Sequence, residues 1–108
     1  MPIPNVEEID LMHRYMCKAV ADPKRILIMY ALHEDRYHVS ALADLLDMPQ
    51  PTVSRHLALL KQRGIVIGER EGTAVYYRLA DDRIIGVLDT MHGMLRDLLE
   101  AQSSNFET

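Results

Sequence analysis

A run of polar side chains between residues 50 and 63 has the donors and acceptors that recognise nucleic acid. Hydroxyl, amide, imidazole and cationic groups recur along it, and those that would contact DNA are Gln50, Thr52, Ser54, Arg55, His56 and Lys61. Such groups hydrogen-bond to base edges and to phosphate oxygens. A later stretch, residues 65–79, adds two more candidates, Arg70 and Thr73. The chemistry that these residue types indicate is recognition of double-stranded DNA.

The same run has the pattern of a helix with one buried face. Apolar residues recur at Val53, Leu57 and Leu60, with the i, i+4, i+7 spacing of a helix. Gly64 then ends the helix as a C-cap. The polar candidates stand on the outward side, with His56 at the flank. An ordinary amphipathic surface helix has the same pattern, so the neighbouring elements decide between the two interpretations.

The elements before this helix complete a helix-turn-helix. A first helix is predicted over residues 5–20, with Asn5 as its N-cap. A second, over residues 24–32, contains a central apolar run that we expect to be deeply buried. A short third helix over residues 39–46 should bury its leucines. Together with a tight turn and the polar-faced helix, it forms a helix-turn-helix over residues 39–63.

After the polar-faced helix the period changes from helical to alternating. Val75, Tyr77 and Leu79 alternate with other residues, and a turn around Gly72 separates two strands within residues 65–79. A β-hairpin directly after such a helix is the wing of a winged helix, and its tip can reach the DNA backbone. The sequence therefore predicts a mainly α fold with a β-hairpin wing, the winged helix-turn-helix.

Residues 81–102 have the pattern of a long last helix. Besides an apolar stripe, the helix carries a second stripe of small residues, Gly86, Thr90 and Gly93. Glycine costs about 1 kcal/mol in a helix interior, so we expect another backbone to lie close to it. A chain of 108 residues forms one domain, with too few other elements to cover both stripes. The prediction is a homodimer through the first and last helices, with residues 103–108 as a frayed tail.

The net charge of −4 is unevenly distributed. Residues 1–49 carry −3, residues 50–79 carry +3, and residues 80–108 carry −4. Positive charge is concentrated in the part that would meet DNA, and acidic ends suppress non-specific binding. A single cysteine and no apolar run of about 18 residues predict a cytoplasmic protein outside the membrane. The absence of a glycine-rich phosphate loop, a nucleophile elbow and an HExxH motif predicts that the protein is not an enzyme.

Four short motifs stand in order along the chain, at residues 21–27 (ADPKRIL), 51–57 (PTVSRHL), 64–66 (GIV) and 76–79 (YYRL). Together they resemble the ArsR/SmtB family of bacterial winged-helix repressors. The resemblance implies a homodimer that occupies a DNA operator and leaves it when an inducer binds. The alternative, from a different class, is a winged helix used as a protein–protein interaction module without an operator. The acidic residues of the wing tip mildly favour that alternative.

The metal sites known in this family are not reproduced here. His38 and Ser40 replace the Cys-x-Cys pair of the third helix, and neither Asp81 nor Asp82 begins the Asp-x-His pattern of the last helix. A looser set remains on the first and last helices, consisting of His13, Cys17, Asp89 and His92. Zinc or another divalent metal accepts such nitrogen, sulfur and oxygen ligands. The alternatives are a redox role for Cys17 and purely structural roles for all four residues.

Overall fold

The computed structural model of the protein describes residues 2–107, and within them the α-helices and strands follow the predicted order. Their bounds are α1, Val6–Met12; α2, Pro23–Glu34; α3, Val39–Leu46; α4, Gln50–Gln62; β1, Val66–Glu71; β2, Ala74–Leu79; and α5, Arg83–Glu107. Helices α3 and α4 form the helix-turn-helix, and β1 and β2 form the wing. In this described part of the chain, no helix is long and apolar enough to span a membrane.

The predicted first helix is broken into three pieces. Helix α1 passes into a π-helical turn, His13–Cys17, and then into a 3-10 turn, Ala19–Ala21. The N–H of Lys18 donates to the carbonyl of His13 at 2.9 Å, which is the i to i+5 bond of a π-turn. The prediction of one regular helix over residues 5–20 was therefore wrong beyond α1. We call residues 6–21 the N-terminal segment.

The core lies between α2, α3 and α4 and is closed by the base of the wing and the start of α5. Its largest fully buried side chains are Ile28, Met29, Leu42, Val53, Leu57, Leu60 and Val66. Two leucines that we expected to be buried are not, since Leu27 is 51% and Leu45 is 55% exposed. Each helix turns only one face to this small core. A continuous apolar run winds around the helix, so part of it must point outward.

The wing is an antiparallel hairpin that is fastened to the helix-turn-helix. Val66 pairs with Leu79 at its base, and the register continues to the turn, where Gly72 has a φ of +62°. Tyr37, just before α3, exchanges two backbone hydrogen bonds with Tyr77 of β2, at 3.1 and 2.8 Å. The outer edge of β2 is therefore tied to the approach to α3, which fixes the wing relative to α4.

Helix α5 leaves the core soon after it begins. It starts at Arg83, whose N–H donates to Asp81 Oδ1 at 2.9 Å, and only Ile85 and Leu88 of its side chains are buried among those described. The helix is described to Glu107, and Thr108 lies outside the described residues, so fraying of residues 103–108 stays a prediction. At 1.5 Å per residue its 25 residues extend about 38 Å.

The exposed part of α5 has two distinct faces. Five of its apolar residues beyond the core are between 50 and 66% exposed and form what we call the α5 apolar stripe, Val87, Met91, Met94, Leu95 and Leu98. Each residue of an α-helix is rotated by about 100° from the one before it, which places Gly86 and Gly93 on the side away from this stripe, together with Asp97 and Glu100. A Cβ added to either glycine would meet no atom within 4 Å in the described chain. The second backbone that we expected beside these glycines thus stays a prediction.

Candidate nucleic-acid interface

Helix α4 packs one face into the core and presents the other to solvent. Val53, Leu57 and Leu60 are at most 1% exposed, as their spacing predicted. Of the six predicted contact residues on this helix, five reach the surface, namely Gln50, Thr52, Ser54, Arg55 and Lys61. Within the described chain, Arg55 and Lys61 form no hydrogen bond or ion pair through their side chains. Their charges are therefore available to an anionic partner.

The structure corrects the prediction for the sixth contact residue, His56. Its side chain is buried, at 6% exposure, and its Nδ1 lies 3.3 Å from Nη1 of Arg25 in α2. Burial lowers the pKa of His56, because taking the ring out of water disfavours its charged form. The sequence contained the signal for this position, since His56 is three residues after Val53 and four before Leu60, on the buried face. His56 packs on the core side of α4 and is not part of its exposed polar face.

The turn between α3 and α4 sets the direction in which α4 leaves the core. Asp47 ends α3 in the left-handed conformation, with φ of +53°, which aspartate tolerates better than most residues. The N–H of Met48 then donates to the carbonyl of Ala43 at 3.0 Å. At the other end of α3, the His38 ring accepts the N–H of Ala41 at 3.2 Å and so acts as an N-cap. Both ends of the first helix of the motif are therefore fixed.

The acidic residues of the wing are neutralised by arginines within the same chain. Glu69 forms an ion pair with Arg78 across the strands, and Glu71 accepts a hydrogen bond from Nη2 of Arg36 at 3.0 Å. The Arg36 guanidinium also lies over the Tyr76 ring, 4.5 Å from its centre. The sequence analysis missed Arg36, because residues 36 and 71 meet only through the fold. The negative charge that counted against DNA binding is thus largely compensated.

The remaining wing candidates, Arg70 and Thr73, are exposed near the hairpin turn. Among the residues that the structure describes, Arg70 has no ion-pair partner. With Arg55 and Lys61 on α4, it leaves the helix-turn-helix and the wing with uncompensated cations. Phosphate groups are the natural partners of such charges. This arrangement can bind a polyanion along α4 and the wing.

The four candidate metal ligands do not come together within one chain. His13 and Cys17 are exposed on the π-turn. Cys17 lines an apolar cavity of about 890 Å³ between the N-terminal segment and α5, whereas Asp89 and His92 line a separate cavity of about 500 Å³ beside α2. Asp89 also accepts a hydrogen bond from the Tyr30 hydroxyl at 2.8 Å. Among the described residues of a single chain, no three His, Cys, Asp or Glu side chains are placed to hold a metal ion.

Comparison with known proteins identifies the family. Residues 22–67 match the sequence model of the arsR family of bacterial regulatory proteins. The chain is 42% identical over 87 residues to the transcriptional repressor SmtB of Mycobacterium tuberculosis, covering 81% of this chain and 64% of that protein. It is 30% identical over 94 residues to the biofilm growth-associated repressor of Agrobacterium fabrum, covering 87% of this chain and 80% of that protein.

A solved structure with the same fold comes from Mycobacterium bovis. It is a homodimeric winged helix-turn-helix DNA-binding domain, with a TM-score of 0.76 and 29% identity, covering 94% of this chain and 95% of that one. The family and fold are those of regulatory proteins rather than enzymes, as the sequence predicted. With its matched helix-turn-helix and its wing, the chain belongs to the arsR family of bacterial regulatory proteins.

Proposed function

We propose that this chain is a sequence-specific DNA-binding transcriptional repressor that acts as a homodimer and leaves its operator when an inducer binds. The observation that carries the proposal is the exposed polar face of α4, which bears Gln50, Ser54 and Arg55 while the opposite face is locked in the core. In a helix-turn-helix, such a helix enters the major groove and its first residues contact base edges. Arginine pairs with guanine there, and glutamine pairs with adenine.

The wing extends the same surface. Arg70 and Thr73 stand exposed near its turn, and the pairing of Glu69 and Glu71 with arginines reduces their repulsion of phosphates. Contacts of this kind fix the register of the protein on the duplex, whereas contacts from α4 to bases provide the specificity. In this arrangement, Lys61 and Arg70 bind phosphates and Arg55 reads a base.

The α5 apolar stripe supports the homodimer. Contiguous exposed apolar surface on a small domain marks an association site. The stripe continues onto the N-terminal segment, where Met12 and Met16 are 50% and 41% exposed and line the 890 Å³ cavity with Met91. The M. bovis neighbour is described as homodimeric. A two-fold dimer presents two copies of α4 to two half-sites about one helical turn apart.

The relatives favour repression over the protein-interaction alternative. The M. tuberculosis and A. fabrum proteins are both described as repressors, and the M. bovis domain as DNA-binding. The chain spans 64% of the length of that SmtB repressor, and repression by this chain is therefore our proposal.

Zinc or another divalent metal as the inducer stays a prediction. On one chain Cys17 lines one cavity, and Asp89 and His92 line another, so a site would need groups from two subunits. A relative from Listeria innocua is described as a cadmium resistance regulatory protein, which is consistent with metal sensing. Calorimetric titration of the dimer with zinc tests this, and heat at a stoichiometric ratio that Cys17→Ser or His92→Ala abolishes is the expected result. If no heat is measured near neutral pH, the metal hypothesis fails.

The proposed DNA contact is tested by a titration of Arg55→Ala. The probes are the promoter DNA upstream of the protein's own gene and a random duplex of equal length. We expect the variant to lose about 1–3 kcal/mol of promoter affinity, or about 5- to 150-fold. Arg96→Ala removes the same charge from α5, away from α4, and serves as the matched control. Equal promoter affinity of the two variants would contradict the proposed docking.

The salt dependence of binding separates the two classes of function. Release of condensed counterions makes the affinity for both duplexes fall steeply as salt rises, and the promoter must be preferred at every salt concentration. A protein-interaction module would bind neither duplex measurably at moderate salt.

A further inference from the structure

We propose that Arg25 is a positioning residue that joins the recognition helix α4 to the end of the N-terminal segment, through hydrogen bonds to both. The inference deepens the proposed function, and rests on it, because it names the contact that passes a movement of the dimer surface to the DNA-reading helix. Arg25 lies within the ADPKRIL motif of residues 21–27, and only the folded chain brings it into contact with His56.

The Arg25 guanidinium lies at the junction of three elements. Its Nε donates to the carbonyl of Ala19 at 2.7 Å, and its Nη2 donates to the carbonyl of Lys18 at 2.8 Å. Its Nη1 lies 3.3 Å from Nδ1 of His56, on the buried face of α4. The side chain is 14% exposed and is also held 3.8 Å from the Asp22 carboxylate. A planar fork with five donors suits this set of acceptors, and a lysine could not serve them all.

This contact determines the state of the buried histidine. A guanidinium has donors and no acceptor, so His56 must offer Nδ1 as the acceptor and carry its proton on Nε2. The charged groups around the ring are Asp22, the N-cap of α2, Lys24 and Arg25 of α2, and Arg55 of α4. Burial lowers the pKa of His56 most, the three cations lower it further, and the Asp22 carboxylate opposes them. Protonation of His56 would place a second donor against Arg25 and break the link.

A second contact ties α4 to the same segment. The Arg63 guanidinium, at the C-terminal end of α4, lies 5.6 Å from the centre of the Tyr15 ring on the π-turn. Residues 56 and 63 are about 10 Å apart along the helix axis. Two separated attachment points fix both the position and the orientation of α4 relative to the N-terminal segment. Because that segment carries part of the proposed dimer surface, a change in the angle between subunits is transmitted to α4.

The contact itself is tested without DNA, by NMR of the imidazole nitrogens. In the wild-type protein we expect His56 to be the Nε2–H tautomer and to titrate below 6.5. In Arg25→Gln we expect its pKa to rise and the amide resonances of residues 50–62 to shift. Lys24→Gln removes a neighbouring cation that also lowers the pKa of His56, but less than Arg25 does and without a side-chain hydrogen bond in the described chain. It is the matched control for charge, and we expect a smaller rise of that pKa and no change of tautomer. An Nδ1–H tautomer, or equal spectra for the two variants, would overturn the proposal.

The consequence for DNA is tested by promoter titration of the same proteins. We expect Arg25→Gln to bind at least tenfold more weakly than Lys24→Gln, with the same mass in solution and the same helical circular dichroism. Arg25→Lys keeps the charge but reaches fewer acceptors, so its promoter affinity should lie between those of Arg25→Gln and Lys24→Gln. If Arg25→Gln does not fold, Arg25→Lys is compared with the control in its place. Affinities within twofold of the control would refute the positioning role. If the wild-type protein shows no preference for promoter DNA, the proposed function fails, and the NMR measurement still decides whether Arg25 positions α4.

Discussion

Substitution of Leu98 by alanine is expected to weaken the homodimer without disturbing the subunit. Leu98 lies in the α5 apolar stripe, beyond the point where α5 leaves the core, and is 54% exposed in the single chain. Complete burial of a leucine side chain contributes about 1.5–3 kcal/mol, so covering the exposed half contributes about 1 kcal/mol. Two copies in a two-fold dimer give about 2 kcal/mol, or a roughly 30-fold higher dissociation constant.

Sedimentation equilibrium over a series of protein concentrations measures this constant directly. Glu100→Ala is the matched control, since Glu100 is exposed on the opposite face of the same helix. Alanine favours the helix at either position, so both variants should keep their helical circular dichroism. If Leu98→Ala dimerises as tightly as the wild-type protein and Glu100→Ala does not, the interface lies on the glycine face and our assignment of the stripe is refuted.

Three further predictions concern stability, each measured by urea denaturation. Gly64→Ala should lower the free energy of unfolding by about 1 kcal/mol, because Gly64 has a φ of +76°. Gly86→Ala, inside α5, should raise it by about as much, because alanine favours a helix and the added Cβ meets no atom within 4 Å. Changes of the same sign in the two variants would contradict this. Burial lowers the pKa of His56, so the unfolded chain takes up the proton first and the free energy of unfolding should fall as the pH drops below about 7. The fall should be smaller in His56→Gln. An equal fall in this variant would show that His56 is not its source. Hydrogen bonds from the Arg83 side chain and N–H lower the pKa of Asp81 from 3.8 to about 2. The contribution of Asp81 to stability is therefore present above pH 4 and is lost towards pH 2. Asp81→Asn should remove that part of the acid sensitivity, and a variant as sensitive as the wild-type protein would exclude this stabilising role of Asp81.

Local signals in the sequence predicted the elements and several of their ends. Asn5 and Asp22 accept the N–H groups of Glu8 and Lys24, both at 2.8 Å, as N-caps do. Gly64 ends α4 with a positive φ, as predicted. These features were accessible because capping and turn chemistry depend on residues within one helical turn of each other.

The errors arose where a side chain's surroundings depend on distant parts of the chain. His56 was placed at the flank of α4 by its polarity, although its spacing from Val53 and Leu60 puts it on the buried face. The partner that allows a polar ring to be buried there, Arg25, lies 31 residues earlier. The wing tip was judged acidic, yet Arg36 lies 35 residues before Glu71 and compensates it. The charge of a residue is a property of the sequence, but its compensation requires contact.

By itself, the sequence determined the order of helices and strands, the buried face of α4 and the family. These follow from periodicity and caps, which act over a few residues, and from motifs that need no coordinates. Only the tertiary structure decided that the N-terminal segment breaks at residues 13–17, that Arg25 joins this segment to α4, and that the α5 apolar stripe remains uncovered in a single chain. The physical reason is that burial and pairing depend on which elements meet in space, and a core this small leaves most of a 25-residue helix without a neighbour.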